Sequence, residues 1–560
     1  MATTETPTAE TRARHDAGPR PGATEEHLPR RRMWLGRVLG PVLALAAYHL
    51  IPADPDLSTA ARTALAVVVL VAVWWMTEAL PLAATSLVPI VALPLLGIFP
   101  VAEAAAPYAN PIVFLFLGGF VIALAMQKWN LHRRIALLTM RAIGTRPKQL
   151  MFGVMAATWF LSMWVSNTAT TLMMLPIGTS VLALVTARRT ADGDTGEAAD
   201  TADTGAAADG AVGPARKTAR DGATTAVTPT AVADRDVRNF SVCMMLGIAY
   251  AATIGGLATL IGSPPNLIMS GIMEESHGVS IGFADWMMLG VPLSALFLVI
   301  AWLFLTRVAY PTGLSDVMGG REVIQRELDD LGPMSRGEWT VLSIFASTAL
   351  LWVFREPLTE WSALTSVLPF MAHLDDTVIA IAAVVALFLI PVDTRRGVQT
   401  MDWRTVQSGV PWGVLLLFGG GLALAKAVQE TGLAAWIGTK MDGLGTLPVV
   451  LLIAAVCLII LMLTELTSNT ATASTFLPVL AAVAVGIAVD PLLLAVPAAM
   501  AATCSFMLPV GTPPNAIVFG SGHVTMAQMV RAGLWLNLIG VVLITVMTLL
   551  LGGWAMGIVF

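Results

Sequence analysis

The chain has 560 residues, of which 56% are hydrophobic and only 12% charged, with a mean hydropathy of +0.76. Apolar runs recur from Met33 to the last residue, which excludes a soluble globular domain and points to an all-α polytopic membrane protein. The net charge of −5 excludes little by itself, because the placement of the basic residues carries the information; no nucleic-acid partner is expected, and lipid is.

Residues 1–32 are polar and end in Arg30-Arg31-Arg32 ahead of an apolar segment. They read as a disordered cytoplasmic tail before an uncleaved first helix, since no small-residue cleavage site follows. Full spans are expected at 33–51, 60–79, 82–99, 111–127, 287–306, 339–354, 377–392, 411–428 and 534–553. Two broken segments near Asn266 and Asn515 bring the total to about eleven transmembrane segments.

Between these lie two longer runs, 149–187 and 449–490. Residues 150–185 carry no charge, and one helix of that length would reach ~54 Å. A hydrocarbon core is only ~30 Å thick. Each run therefore reads as a re-entrant helical hairpin, with Ser166-Asn167-Thr168-Ala169-Thr170 at the first tip and Ser468-Asn469-Thr470-Ala471-Thr472 at the second. A polar tip at that depth is a functional feature. The segment 188–239, rich in Ala, Thr, Asp and Gly, reads as a disordered cytoplasmic insertion.

With the amino terminus inside, the first hairpin enters from the cytoplasm and the second from outside. This topology places 28 of the 32 Lys and Arg residues on the inner side, leaving Arg62, Arg355, Lys426 and Lys440.

Internal duplication accounts for the recurrence. Asn167 and Asn469 are 302 positions apart, and Gly118-Gly119 recurs as Gly419-Gly420 at 301. Gly262-Ser263-Pro264-Pro265-Asn266 and Gly511-Thr512-Pro513-Pro514-Asn515 stand only 249 apart, a shortfall of 53. The insertion 188–239 is 52 residues long, so removing it restores the register. Hairpins that open oppositely make the halves inverted repeats, an arrangement of secondary transporters.

At each tip, hydroxyl and amide groups can cap the second half-helix while leaving its first amides free for an anion. The paired prolines cannot continue a helix and remove two donors, which leaves carbonyls that suit a small hard cation. Neither tip nor loop holds Arg or Lys. A bound dianion would therefore need cations for charge compensation, which couples the two. Glu465, four residues before Asn469, could support the cation site or carry a proton, whereas Glu78 reads as a helix-end residue. Cys243, Cys457 and Cys504 read as small buried side chains. No nucleophile, phosphate-loop or metalloprotease pattern suggests an enzyme.

From about Trp74 onward these residues resemble the divalent anion/sodium symporter family. The likeness rests on both Ser-Asn-Thr tips, both Pro-Pro-Asn loops, the Thr77-Glu78 to Pro81 element and the run 502–518. That run is similar to Ser-x-x-Phe-x-x-Pro-x-Gly-x-x-x-Asn-x-Ile-Val, with Thr503 in place of the first Ser.

The resemblance implies an elevator-type transporter, a homodimer, in a bacterial plasma membrane. Its scaffold would comprise 33–148 and 309–448, and its transport domain 149–187, 240–308, 449–490 and 491–560. One sodium site is implied at Ser162, Ser166, Asn167 and the Gly262 carbonyl. A second is implied at Thr464, Thr467, Asn469 and the Gly511 carbonyl, where Thr467 and Gly511 replace a usual Ala. The carboxylates of a small dianionic substrate would meet Ser166, Asn167, Thr168, Ser263, Pro264, Ser468, Asn469, Thr470, Thr512 and Pro513. The expected activity is Na+-coupled symport of C4-dicarboxylates. A sodium-independent exchanger and a permease for sulfate or another inorganic anion are the alternatives.

Overall fold

The computed structural model describes residues 30–51, 54–144, 146–197, 229–312, 320–441 and 445–560. Residues 1–29 of the expected tail and 198–228 of the expected insertion lie outside the described residues.

In chain order the principal helices of the first half are α1 (Arg30–Leu50), α2 (Thr59–Thr77), α3 (Pro111–Lys128), α4 (Leu131–Ile143), α5 (Pro147–Ser162), α6 (Asn167–Glu197), α7 (Pro229–Gly255), α8 (Pro264–His277) and α9 (Phe283–Phe304). The second half contributes α10 (Gly320–Leu331), α11 (Arg336–Val353), α12 (Asp376–Leu389), α13 (Trp412–Glu430), α14 (Leu433–Lys440), α15 (Val449–Thr464), α16 (Asn469–Gly486), α17 (Pro491–Thr503), α18 (Pro513–Gly520) and α19 (Met526–Met556). Eight helices among the described residues are long and apolar enough to cross a membrane.

Most span boundaries fall where the apolar runs predict, with identifiable causes. Ser58 caps α2 by accepting from the Ala61 amide, and Glu78 ends it in the left-handed conformation at φ 50°. That is the helix-end role expected of Glu78. Asn110 caps α3, and Thr525 with Gln528 forms a capping box that starts α19 well before residue 534.

Two expectations need correction. The run 82–99 is two short helices, Leu82–Thr85 and Val88–Leu95, because Pro89 lacks the amide that continuity requires. The Ser86 hydroxyl turns back to the Leu82 carbonyl, and the Tyr108 hydroxyl donates to the carbonyl of Ser86. The basic stretch after Lys128 forms α4, which buries Leu131, Ala136, Leu137 and Met140 along one face. The supposed insertion is partly helical, with α6 running to Glu197 and α7 starting at Pro229. One small antiparallel pair, Pro391–Asp393 with Val398–Gln399, interrupts the otherwise helical chain.

Packing follows the repeat. Hairpin arm α5 lies on broken helix α7, and α15 lies on α17. The distal parts then cross over: α8 packs on α16 and α17 of the second half, while α18 packs on α6 and α7 of the first. Each half is thereby walled by the other. The proximal broken helices form the centre, since every residue of α17 from Leu492 to Thr503 is buried.

Ion pairs tie segments of like placement. Lys128 meets Asp402 at 2.9 Å, Arg134 meets Glu338 at 2.6 Å, and Arg133 pairs with Glu327. At the opposite end Lys440 meets Asp54 at 2.8 Å and Arg355 meets Asp376 at 3.1 Å. The ammonium beside it holds the Asp54 carboxyl down to about 2.

Candidate functional site

Both tips reverse the chain between two helix ends. In the first, residues 163–166 link α5 to α6, and the Ser166 hydroxyl accepts from the Ala169 amide at 3.3 Å. In the second, Ser468 stands at the cap position of α16 with no side-chain capping bond, which leaves its hydroxyl free to face a ligand. The early amides of α6 and α16 have no partner within their helices and carry partial positive charge. Thr168 and Thr470 sit half-buried in these first turns.

Each broken loop is held by an asparagine. Asn266 Nδ2 donates to the carbonyls of Gly256 and Thr259, both at 2.9 Å. Asn515 Nδ2 donates to those of Ser505 and Leu508, both at 3.1 Å. The 249-residue register thus holds bond by bond, and each amide oxygen, Asn266 Oδ1 and Asn515 Oδ1, is buried without a partner. The following helices support both loops through close backbone approach. A Cβ on Gly290 would lie 2.6 Å from the Leu257 carbonyl oxygen, and one on Gly533 would lie 2.2 Å from that of Phe506.

The oxygens then converge. Ser162 Oγ lies 2.7 Å from Asn167 Oδ1 and 2.7 Å from the Ala252 carbonyl. Thr464 Oγ1 lies 2.6 Å from Asn469 Oδ1 and 2.9 Å from the Ala502 carbonyl. A hydroxyl has one proton, so it can donate to only one of its two neighbours. In the second half the amide orientation is fixed independently, because Asn469 Nδ2 donates to the Thr503 carbonyl at 3.2 Å. Three oxygens therefore meet around a single proton, an arrangement a small cation satisfies. Neutral hydroxyl, amide and carbonyl oxygens are the donor set a hard alkali cation takes. The Gly262 carbonyl and the Asn167 amide both lie against Gly256, within 3.2 Å of where its Cβ would stand.

Several sequence-predicted residues are thus brought together: Ser162, Asn167 and Gly262 in one half, and Thr464 with Asn469 in the other. Thr467 departs from expectation in its side chain, whose hydroxyl donates to the Leu463 carbonyl and lies 2.6 Å from Thr472 Oγ1. Ser263 and Thr512 are buried at the starts of α8 and α18, where Thr512 Oγ1 accepts from the Asn515 amide, and Pro264 and Pro513 open those helices.

Residue-level reading missed the anchor of the second loop. Glu465 is buried, and its Oε1 accepts from the amides of Phe506 and Met507 at 2.8 and 2.9 Å and from Asn537 Nδ2 at 2.7 Å. Its Oε2 accepts from the Leu508 amide at 3.0 Å. A lone carboxylate in an apolar run signals some such role, but backbone amides as its partners leave no mark in sequence. Gly256 and Ser505 were missed as well.

Comparison with known proteins identifies the family. The family model described as the sodium:sulfate symporter transmembrane region matches residues 32–558. A sodium-dependent dicarboxylate transporter of Staphylococcus saprophyticus, SdcS, is 40% identical over 515 residues, covering 91% of this chain and 89% of the relative. Its Staphylococcus aureus counterpart is 41% identical with the same coverage. Among solved structures, the Neisseria gonorrhoeae efflux pump MtrF aligns over 93% of this chain and 95% of its own with TM-score 0.51 at 10% identity. The Alcanivorax borkumensis YdaH transporter aligns over 87% and 99% with TM-score 0.50 at 14% identity, and both likenesses concern the fold alone. Matched along nearly its whole length by the family and by relatives at this identity, the chain belongs to the sodium:sulfate symporter family, that of the divalent anion/sodium symporters.

Proposed function

We propose that this protein is a secondary active transporter that carries C4-dicarboxylates such as succinate, malate or fumarate inward with sodium ions. One observation carries the reading: twice, a hydroxyl, an asparagine amide oxygen and a backbone carbonyl crowd together with too few protons, beside a helix amino terminus and in tips and loops whose sequences hold no Arg or Lys. A dianion held by helix ends and hydroxyls gains its charge compensation from cations in those oxygen clusters. The names of the staphylococcal relatives supply the substrate class and the ion.

The moving part is the pair of hairpins with the two broken helices, and the rest is scaffold, so transport runs by an elevator motion in a homodimer. The contact between them is smooth, which supports sliding: Gly119 of α3 faces Ile261, Gly421 of α13 faces Ser474, and Gly271 of α8 faces Leu422. The amino terminus is cytoplasmic in a bacterial plasma membrane. The distribution of Lys and Arg favours that orientation, and the long-range ion pairs named above join segments assigned to the same side.

Radiolabelled succinate uptake into proteoliposomes tests this. An inward sodium gradient is expected to drive accumulation, and Asn167→Ala and Asn469→Ala are each expected to abolish it while the protein still melts cooperatively. Absence of uptake with and without sodium overturns the reading, and full activity in both variants overturns the site. Sodium-independent uptake that requires internal dicarboxylate makes the protein an exchanger. The sodium:sulfate symporters of the family keep sulfate in view, and excess unlabelled sulfate that blocks uptake as well as succinate does would move the substrate class there.

A further inference from the structure

One buried residue outside the expected ligand set touches both half-sites. Thr503 closes α17, and its carbonyl accepts from Asn469 Nδ2 at 3.2 Å in the second half. Its hydroxyl donates to Ser263 Oγ at 3.0 Å in the first half, across 240 positions of sequence. Both side chains are buried, Thr503 fully and Ser263 to 2% exposure. Among the described residues this is the hydrogen bond the Ser263 side chain makes, since Ser263 does not cap α8. The β-methyl of threonine restricts χ1, and the Ala499 carbonyl, 3.3 Å away, is the alternative and longer acceptor for the hydroxyl's one proton. The neighbouring Ala502 carbonyl is one of the oxygens gathered around Thr464.

We propose that Thr503 is a positioning residue that couples cation occupancy at Asn469 to substrate binding by Ser263. This rests on the site described under Proposed function. The chain of contacts is short: a cation that draws in Asn469 Oδ1 shifts its Nδ2, the Thr503 carbonyl follows, and the Thr503 hydroxyl re-aims Ser263 toward the substrate carboxylate. Coupling between two ligands is a reciprocal free energy, so it is read as the ratio of succinate dissociation constants at low and saturating sodium.

Calorimetric titration of the purified full-length protein measures that ratio. Thr503→Val keeps the shape and removes the hydroxyl, and it is expected to shrink the ratio about three- to tenfold, the size of one lost buried hydrogen bond. Thr503→Ser restores the bond and is expected to restore the ratio. A merely structural role would lower the melting temperature and leave the ratio alone, and a wild-type ratio in folded Thr503→Val overturns the proposal. Should Thr503→Val fail to fold, Ser263→Ala breaks the same bond from the other side, and an unchanged ratio there overturns it equally. Transport lost in Asn167→Ala and Asn469→Ala together with an unchanged Thr503→Val ratio sinks the coupling alone. Wild-type transport in the asparagine variants sinks the site reading as well.

Discussion

The two half-sites share a frame and differ in what fills it. Asn266 and Asn515 hold their loops with the same pair of backbone acceptors, ten and seven residues upstream. The ties between tip and loop, however, are chemically reversed. In the first half the Thr259 hydroxyl of the loop donates to the Met163 carbonyl of the tip at 2.5 Å. In the second, Glu465 of the tip takes three loop amides and Asn537, and the loop position equivalent to Thr259 is Leu508, one of those amide donors. Where the first loop has Gly256 against Asn167, the second has Ser505, its hydroxyl buried without a partner beside Gly511. After duplication the backbone frame, which positions carbonyls, has kept its form, while the filling has diverged. The second half-site is the more preorganised, because four hydrogen bonds to one buried carboxyl group resist displacement more than a single bond does.

The largest effect expected from this asymmetry is at the tie itself. Glu465→Gln offers one acceptor where two served and points an amide NH2 at backbone donors. Each donor left unsatisfied costs about 1–3 kcal/mol. The variant is expected to melt many degrees lower in detergent and to lose transport. Met163→Leu, at the equivalent position, is expected to cost under ~1.5 kcal/mol, because only the Met163 main chain takes part in the tie and the volume is kept. Equal melting temperatures for the two variants would show that the halves are tied alike and break the comparison.

A smaller effect separates the fillings. A Cβ on Gly256 would lie 2.9 Å from Asn167 Nδ2, 3.0 Å from its Oδ1 and 3.2 Å from the Gly262 carbonyl oxygen. Gly256→Ala should push the Asn167 amide off its oxygen cluster at an overpacking cost of about 1–3 kcal/mol. Sodium activation of uptake is then expected to shift to concentrations on the order of tenfold higher, with less change in melting temperature than Glu465→Gln causes. Sodium activation as in the wild type would remove Gly256 from the account of the first site.

The frame was legible in the sequence and the filling was not. Polar triplets inside long apolar runs and a shared register exposed the hairpins, the broken loops and Asn167 with Asn469, because those features depend on local chain chemistry. The break at Ser86 hid inside an apolar run whose hydropathy is that of a span, and only Pro89 marked it. Helix α4 was masked by its basic residues, two of which, Arg133 and Arg134, pair with Glu327 and Glu338 of the second half. The Thr467 hydroxyl turned out to face Thr472 within its own tip, five residues on. Thr503 meets Ser263 through a contact that exists only once the halves cross over, and nothing local to Thr503 announces that partner.

The finest test distinguishes clashes that a side chain can relieve from clashes that it cannot. A Cβ on Gly511 would fall 1.9 Å from Ser505 Oγ and 3.2 Å from Glu465 Oε2, so the obstacle is mostly one hydroxyl. The atoms nearest a Cβ on Gly262 would be backbone of Gly256, its carbonyl oxygen at 2.8 Å. Gly511→Ala alone is therefore expected to cost about 1–3 kcal/mol in the melting transition, and Ser505→Gly in the same chain to recover most of that loss. Gly262→Ala should cost at least as much and gain nothing from any change at Gly256, which already lacks a side chain. A double variant of Gly511→Ala and Ser505→Gly no more stable than Gly511→Ala alone would mean that backbone, rather than Ser505, limits the second half-site. The two halves would then be filled alike after all.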